Sequence, residues 1–158
     1  MFRKILVPTD GSALSRRAVE YAVRLAKEQK ARIVGLWVGP AWEPNLYAYG
    51  DSAPPGFVSK RQHTARVRRA GARTLRAVRE MAAAARVRCE CVCVEGVFPY
   101  LEIIRAARRK RCDLIVMASH SRRGISRLLL GSQTSKVLAL AGVPVLVCRG
   151  PTSGRPPP

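Results

Sequence analysis

Acidic residues and long apolar runs are scarce in this sequence. The chain of 158 residues has 10 aspartates and glutamates against 29 lysines and arginines. Its first apolar run, within MFRKILVPTDGS, is interrupted by Pro8 and Asp10 after a few residues, whereas a membrane-spanning helix needs about 20 mostly apolar residues. We therefore expect neither a secretory signal nor a membrane anchor here, and we expect a cytoplasmic protein.

The sequence also lacks two motifs that mark well-known hydrolases. It contains no GxxxxGK[ST] phosphate-binding loop and no GxSxG nucleophile elbow. Nothing in the pattern therefore predicts a nucleotide hydrolase or an α/β-hydrolase. Slow hydrolysis of a bound nucleotide stays open, but the sequence does not predict a catalytic residue.

Aromatic residues make up only 6% of the chain, although its formal net charge is +19. The basic residues concentrate in two segments, Arg66, Arg68, Arg69, Arg73, Arg76 and Arg79, and Arg108 to Arg111. Neither segment has interleaved aromatic residues, which a base-stacking surface for nucleic acid needs. We interpret the charges as solvated helix faces; nucleic acid or another acidic partner is the alternative.

The five cysteines are an odd number, and three of them alternate in the segment VRCECVCVEG. On a strand, Cys89, Cys91 and Cys93 would lie on one face about 7 Å apart. That spacing suits packing better than the convergent ligands of a structural zinc site. We interpret them as reduced thiols in small core positions, with a metal or redox role as the alternative.

The hydrophobic pattern predicts a single α/β domain over residues 1–149. Strands are predicted at 4–8, 32–38, 87–94, 113–117 and 143–148, and helices at 13–29, 59–86, 99–110 and 132–141. Ser12 is a good N-cap for the first helix, and Pro99 suits the first position of the third. We expect an irregular connection over 39–60 and a disordered, proline-rich tail at 150–158.

Alternating strands and helices predict an open five-stranded parallel sheet with helices on both faces. The strands are nearly continuous apolar runs, as buried parallel strands are. In the order 3-2-1-4-5, the first and fourth strands are neighbours where the strand order reverses, and ligands bind beyond the carboxyl ends of strands at such a point. The polar loops PTDGS and ASHSRRG follow these two strands and would meet there.

Residues 2–149 resemble the universal stress protein family. The resemblance lies in ILVPTDGS at the end of the first strand, in Trp37-Val38 where the family commonly has His-Val, and in DLIVMASHSRRGISRLLLGSQTSKVLALAGVPVLVCR. The nucleotide-binding members carry Gly-x2-Gly-x9-Gly-Ser/Thr in the last segment. This chain has Ala118-x2-Ser121-x9-Gly131-Ser132, so the spacing is intact and the first two glycines are replaced.

The resemblance implies the Rossmann-like fold of the adenine nucleotide alpha hydrolases and an adenine nucleotide, ATP, held between the first and fourth strands. Asp10 with Pro8 and Thr9 would line the adenosine end, and the backbone of Val38 would read the adenine edge. The segment 118–124 would wrap the phosphates, with Ser132 at a helix start. The implied site is Pro8, Thr9, Asp10, Val38, Met117, Ala118, Ser119, His120, Ser121, Arg122, Arg123, Gly124, Gly131, Ser132, Gln133 and Thr134. Any Mg²⁺ would be coordinated by Asp10, the phosphates and water.

Elementary chemistry supports the phosphate end of this site, although each residue has a simpler interpretation. A helix that opens at Gly131-Ser132 offers unpaired N–H groups and a positive dipole end to an anion, and nearby arginines add charge. Asp10 suits a turn or a helix cap equally well. The arginines could be solvated loop charges, His120 a loop histidine without chemistry, and Gly131-Ser132 an ordinary helix start.

The sequence therefore predicts a nucleotide-responsive stress protein that signals through its bound state. A dimeric interaction module of the same fold without nucleotide binding is the first alternative, and a basic nucleic-acid-associated protein is the second. The apolar strand Val143–Cys148 would lie at the sheet edge, where an uncovered strand invites pairing. We expect a homodimer through this strand, as the resemblance also implies.

Overall fold

The computed structural model describes residues 1–43, 58–119 and 131–149, and within them the chain alternates strands and helices. The elements are strands β1 (Lys4–Pro8), β2 (Arg32–Gly39), β3 (Cys89–Glu95), β4 (Leu114–Ala118) and β5 (Val145–Cys148), and helices α1 (Ala13–Gln29), α2 (Lys60–Ala84), α3 (Pro99–Arg109) and α4 (Ser132–Leu140). The predicted α/β class is confirmed. The tail 150–158, most of the connection between β2 and α2, and the loop between β4 and α4 lie outside the described residues.

The five strands form one parallel sheet in the order β3-β2-β1-β4-β5, as predicted. The strand β1 is central, and its residues Ile5, Leu6 and Val7 are fully buried. Ile5 pairs with Ile33 of β2 on one side and with Leu114 of β4 on the other. Burial on both faces explains why β1 is an uninterrupted apolar run.

The helices cover both faces of the sheet. On one face, Ile5 and Val7 pack with apolar residues of α1 and α2. On the other, Leu6 packs with residues of α3 and α4. Because successive side chains of a strand point to opposite faces, adjacent residues of β1 serve two separate clusters.

Three strand starts differ from the prediction: β4 begins one residue later, at Leu114, and two others begin two residues later. The third strand begins at Cys89 rather than at residue 87, because Arg86 has a positive φ of 58° and the N–H of Val87 still bonds Ala82 O at the end of α2. The fifth begins at Val145 rather than at 143, although the carbonyl of Pro144 already accepts a hydrogen bond from Ile115 N. The apolar pattern of the sequence does not by itself show at which residue the extended backbone of a strand begins.

The helix starts are fixed by local caps. Ser12 caps α1 as predicted, since its hydroxyl accepts from Ser15 N at 3.1 Å. At α2, Ser59 is the N-cap and forms a reciprocal capping box with Gln62. A capping box satisfies two N–H groups that a helix start leaves without intrahelical partners, so α2 begins one residue after the predicted boundary.

The basic residues of α2 are solvated, as the pattern indicated. The six arginines of the first basic segment are all exposed, and Arg76 forms an i,i+4 ion pair with Glu80 at 3.5 Å. Within the described ranges, no helix is both long and apolar enough to cross a membrane.

The prediction for the three alternating cysteines was wrong in two respects, the burial of Cys93 and the spacing of the sulfur atoms. Cys89 and Cys91 are half-buried and pack against the cluster formed with α1 and α2, but Cys93 is exposed. The sulfur atoms of Cys89 and Cys91 are only 3.9 Å apart rather than about 7 Å. The predicted distance describes the repeat of the backbone, and side-chain rotation brings the two sulfur atoms together.

Candidate functional site

The turn between β1 and α1 is built around Asp10 and Gly11. The Asp10 Oδ1 atom accepts a hydrogen bond from Ser12 N at 3.0 Å, so the carboxylate does stabilise the turn. Gly11 has a positive φ of 82°, and a Cβ there would lie 3.3 Å from Thr74 Cγ2. Glycine therefore suits this position for its backbone conformation and for its contact with α2.

Three hydroxyl groups hold this turn against the start of α1. Thr9 Oγ1 lies 3.0 Å from Ser15 Oγ and accepts from Gly11 N at 3.2 Å. The hydroxyl of Ser15 also donates to the carbonyl of Ser12 at 3.0 Å and accepts from the Ser12 hydroxyl at 3.2 Å. This network fixes the backbone that follows β1 and so places Thr9 and Asp10.

The start of α4 is tied to the end of β4. Gly131 N donates to Ser119 Oγ at 3.2 Å, and the buried Thr134 Oγ1 donates to the carbonyl of Ala118 at 3.3 Å. Among the described residues, no side chain caps the first turn of α4, whose N-cap is Gly131. This helix start keeps the N–H groups and the positive dipole end that suit an anion.

A cavity of about 650 Å³ lies at the carboxyl ends of β1 and β4, where the strand order reverses. Its size is typical of sites for small organic ligands. Its described lining residues are Pro8, Thr9, Asp10, Ser15, Leu36, Val38, Pro99, Ile103, Met117, Ala118, Gly131, Ser132, Gln133 and Thr134. The described starts of the two loops singled out in the sequence, Pro8 to Asp10 and Ala118, therefore lie at one cavity.

Most predicted site residues within the described ranges line this cavity. Ser119 does not line it. This residue is buried and accepts a hydrogen bond from Gly131 N, so it holds the start of α4, which lines the cavity. Five predicted residues lie outside the described ranges, namely His120, Ser121, Arg122, Arg123 and Gly124. Their place in the site stays a prediction from the sequence.

Four lining residues were missed by sequence reasoning: Ser15, Leu36, Pro99 and Ile103. Leu36 lies two residues before Val38 and so shares its face of β2. Pro99 and Ile103 lie one turn apart on α3, which packs over that face. Strand alternation could have revealed Leu36, but the contribution of α3 depends on how the helix docks.

The backbone of Val38 is oriented toward β1. The carbonyl of Leu36 accepts from Thr9 N, whereas the carbonyl of Gly39 accepts from Gly96 N on the other side. Along a strand, the backbone groups of successive residues point in turn to the two neighbouring strands. The N–H and C=O of Val38 therefore point the same way as those of Leu36, toward the β1 side. At that level β1 has ended, so these groups lie at the cavity that Val38 lines.

Gln133 connects the two helices that form one wall of the cavity. Its Oε1 atom accepts a hydrogen bond from Tyr100 N at 3.0 Å, in the first turn of α3. The N-cap of that helix, Phe98, makes no side-chain cap bond. Gln133 thus supplies from α4 a capping interaction that α3 does not receive from its own N-cap.

The described lining of the cavity carries little charge. Among its described residues, Asp10 is the one carboxylate, and hydroxyl groups and apolar side chains make up most of the rest. Within the described part of the chain, no three histidine, cysteine or acidic side chains are grouped to hold a metal ion. Asp10 with phosphate oxygens and water fits the oxygen ligands that Mg²⁺ prefers.

Proteins of similar structure were solved with adenine nucleotides. A universal stress protein in complex with cAMP matches with a TM-score of 0.67 and 24% identity, covering 94% of this chain and 97% of that one. The universal stress protein of Archaeoglobus fulgidus in complex with dAMP matches with a TM-score of 0.60 and 17% identity, covering 92% and 97%. At these identities the likeness shows the shared fold.

The sequence comparisons find relatives of higher identity than these two structures. Universal stress protein MJ0531 of Methanocaldococcus jannaschii is 33% identical over 155 residues, which cover 96% of this chain and 84% of that protein. Universal stress protein YxiE of Bacillus subtilis is 35% identical over 154 residues, covering 94% and 100%. The sequence model of the universal stress protein family matches residues 1–149. The chain therefore belongs to the universal stress protein family.

Proposed function

We propose that this protein binds an adenine nucleotide, ATP, in the cavity between β1 and β4 and acts in the cytoplasm as a stress-response regulator. The observation that carries the proposal is the position of the cavity. It joins the β1–α1 turn and the α4 start at the point where the strand order reverses, which is where open parallel sheets bind nucleotides.

The end of the cavity beside β2 suits adenine. Leu36, Val38 and Ile103 offer an apolar surface for the flat base. The N–H and C=O of Val38 present one donor and one acceptor side by side, which complements N1 and the N6 amino group of adenine. Guanine carries an acceptor and a donor in the opposite arrangement, so this edge would favour ATP over GTP.

The end beside α4 suits phosphates. The first-turn N–H groups at Ser132 and Gln133 and the dipole of α4 favour negative charge. The predicted loop 118–124 would wrap the phosphates from the β4 side, and Asp10 with Thr9 would contact the adenosine end. Mg²⁺, where present, would be held by Asp10, phosphate oxygens and water. A net charge of +19 raises the local concentration of such an anion.

Two solved proteins of this fold carry cAMP and dAMP, which supports an adenine nucleotide as the ligand class. We further propose one domain over residues 1–149 and a homodimer through β5. The replacement of a motif glycine by Ser121 favours a second candidate, an interaction module of the same fold that no longer binds nucleotide.

Isothermal titration calorimetry with ATP, ADP, AMP, cAMP and GTP tests the proposal. We expect one site per chain for the adenine nucleotides and binding of GTP at least tenfold weaker. Absence of binding heat for every adenine nucleotide at millimolar ligand, with the protein folded by circular dichroism, would leave the interaction module as the function.

A further inference from the structure

A second cavity, of about 300 Å³, lies between α1 and α2, and its size is at the lower end of the range for small-ligand sites. Its lining includes Val78 and Met81, which pack in the cluster on the α1 and α2 face of the sheet. The larger cavity is lined by Ile103 and Met117 of the cluster on the other face. The two cavities therefore lie on opposite faces of the sheet, and Thr9 is the one described residue that lines both.

The turn that follows β1 forms one end of the α1–α2 cavity. Gly11 lines it, and a Cβ at that position would lie 3.3 Å from Thr74 Cγ2 and 3.6 Å from Thr74 Oγ1. Glycine thus allows the backbone of the turn to approach α2 closely. Thr74 also lines the cavity, and its hydroxyl group can donate a hydrogen bond to an anion.

Each of the two helices contributes one arginine to the cavity, Arg16 from α1 and Arg73 from α2. Both residues are exposed, as expected of side chains at a cavity mouth. Arg16 pairs with Glu20 at 3.9 Å, and an exposed pair of this kind contributes little. Among the described residues, no acidic side chain pairs with Arg73 and none lines the cavity. The lining is therefore complementary to negative charge.

The rest of the lining is apolar. Ala77 and Met81 are half-buried, so a ligand that covers them removes apolar surface from water. An inorganic anion would contact the arginines without using this surface, and a neutral hydrocarbon would leave the arginines without a partner. A guanidinium group binds a carboxylate through two parallel hydrogen bonds.

We propose that the α1–α2 cavity is a binding site for a small organic carboxylate with an apolar body. The carboxylate lies between Arg16 and Arg73, and the apolar body contacts Ala77, Val78 and Met81. This site is separate from the proposed nucleotide site, and its occupation does not depend on whether ATP binds.

The three methionines of the chain allow the two cavities to be observed separately. Met81 lines the α1–α2 cavity and Met117 lines the larger one. Met1 is fully exposed and serves as an internal control. Isotope labels on the methionine methyl groups therefore give one nuclear magnetic resonance signal for each place.

The test is a titration of the labelled full chain with phenylbutyrate, followed through these three signals. We expect a saturable shift of the Met81 signal and no shift at Met1. The neutral analogue phenylbutanol should bind about tenfold more weakly, because it loses the charge-assisted hydrogen bonds. Absence of a saturable Met81 shift at millimolar phenylbutyrate, equal affinity for phenylbutanol, or a shift confined to Met117 would each overturn the proposal.

Arg73→Gln removes one of the two positive charges and should weaken phenylbutyrate binding about tenfold. Arg69→Gln is the matched control, because Arg69 is exposed one turn earlier on α2 and does not line the cavity. It lowers the net charge by the same amount and should leave the affinity near that of the wild type. Equal weakening in the two variants would mean that phenylbutyrate responds to net charge alone, and the site would be refuted.

A third variant tests the apolar part of the cavity without changing any charge. Ala77→Leu places a larger side chain in the cavity, and leucine is well tolerated in helices. We expect this variant to lose the Met81 shift at phenylbutyrate concentrations that saturate the wild type. Wild-type affinity in Ala77→Leu, with the fold confirmed by circular dichroism, would contradict binding in this cavity.

Discussion

Asp10 combines a structural role with a proposed binding role. Its Oδ1 atom accepts from Ser12 N, and the residue lines the cavity. Two substitutions separate these roles, because asparagine keeps a side-chain oxygen for the turn and alanine does not.

We expect Asp10→Ala to weaken ATP binding about tenfold, since a hydrogen bond to a charged group contributes about 1.5–3 kcal/mol. Asp10→Asn should fall between Asp10→Ala and the wild type. Calorimetry measures the affinities, and circular dichroism checks the fold. Wild-type affinity in both variants would mean that Asp10 serves the turn alone.

Ser121 is the position where this chain departs most from the nucleotide-binding motif. If the loop needs positive φ there, serine costs roughly 1–2 kcal/mol of strain, which corresponds to about five- to thirtyfold in affinity. The serine hydroxyl and the neighbouring arginines can offset part of this cost. ATP binding is then weakened and not lost.

The substitution Ser121→Gly should tighten ATP binding severalfold in a calorimetric titration. Ser126→Gly, in the same loop but off the motif, is the control and should leave the affinity near that of the wild type. Equal effects from both glycines would indicate a general change in loop entropy, and no gain from Ser121→Gly would contradict the strain argument.

The helices α3 and α4 depend on one another through Gln133. Gln133→Ala removes the acceptor for Tyr100 N and should lower the free energy of unfolding by about 1 kcal/mol. Gln133→Glu keeps an acceptor at the start of α3, where negative charge is favourable, so stability should be retained.

The two substitutions should differ in ligand binding as well. Gln133→Glu places a negative charge on the cavity wall, and we expect it to weaken ATP binding while the urea midpoint stays close to that of the wild type. If ATP affinity is unchanged in Gln133→Glu, the phosphates do not lie beside the start of α4.

The elements that the sequence predicted best are those with a strong local signal. The strand β1 and the helix α1 have the predicted bounds, because β1 is apolar on both faces and Ser12 marks the start of α1. The starts of β3 and β5 were predicted two residues too early, because apolar residues precede the extended backbone of each strand.

The candidate site was predictable where it follows strand ends and, at Gly131 to Thr134, where the sequence matches the family motif. The carboxyl ends of β1 and β4 place Thr9 and Ala118 at the switch point whatever the helices do. Pro99 and Ile103 line the cavity because of how α3 docks on the sheet. The 3.9 Å distance between the sulfur atoms of Cys89 and Cys91 depends on side-chain torsions. Sequence periodicity encodes neither feature.

The proposed homodimer depends on β5, which lies at the edge of the sheet. The carbonyls of Pro144 and Cys148 accept bonds from β4. The peptide groups of Val145 and Val147, which alternate with them, therefore point to the outer edge. A second β5 could pair there and cover it.

We expect a dimer by multi-angle light scattering at tens of micromolar. Val147→Pro removes an outward N–H without breaking the β4–β5 bonds, and proline is tolerated on edge strands, so this variant should be a folded monomer. Val147→Thr keeps the N–H and should stay dimeric. A monomeric wild type, or a dimeric proline variant, would contradict pairing through β5.

The crystal structure of the chain grown with saturating ATP tests the nucleotide site most directly. We predict density in the cavity between β1 and β4, with the adenine edge against the N–H and C=O of Val38 and the phosphates beside the first turn of α4. A well-resolved map with that cavity empty, or with ATP bound elsewhere on the molecule, would contradict the proposed function.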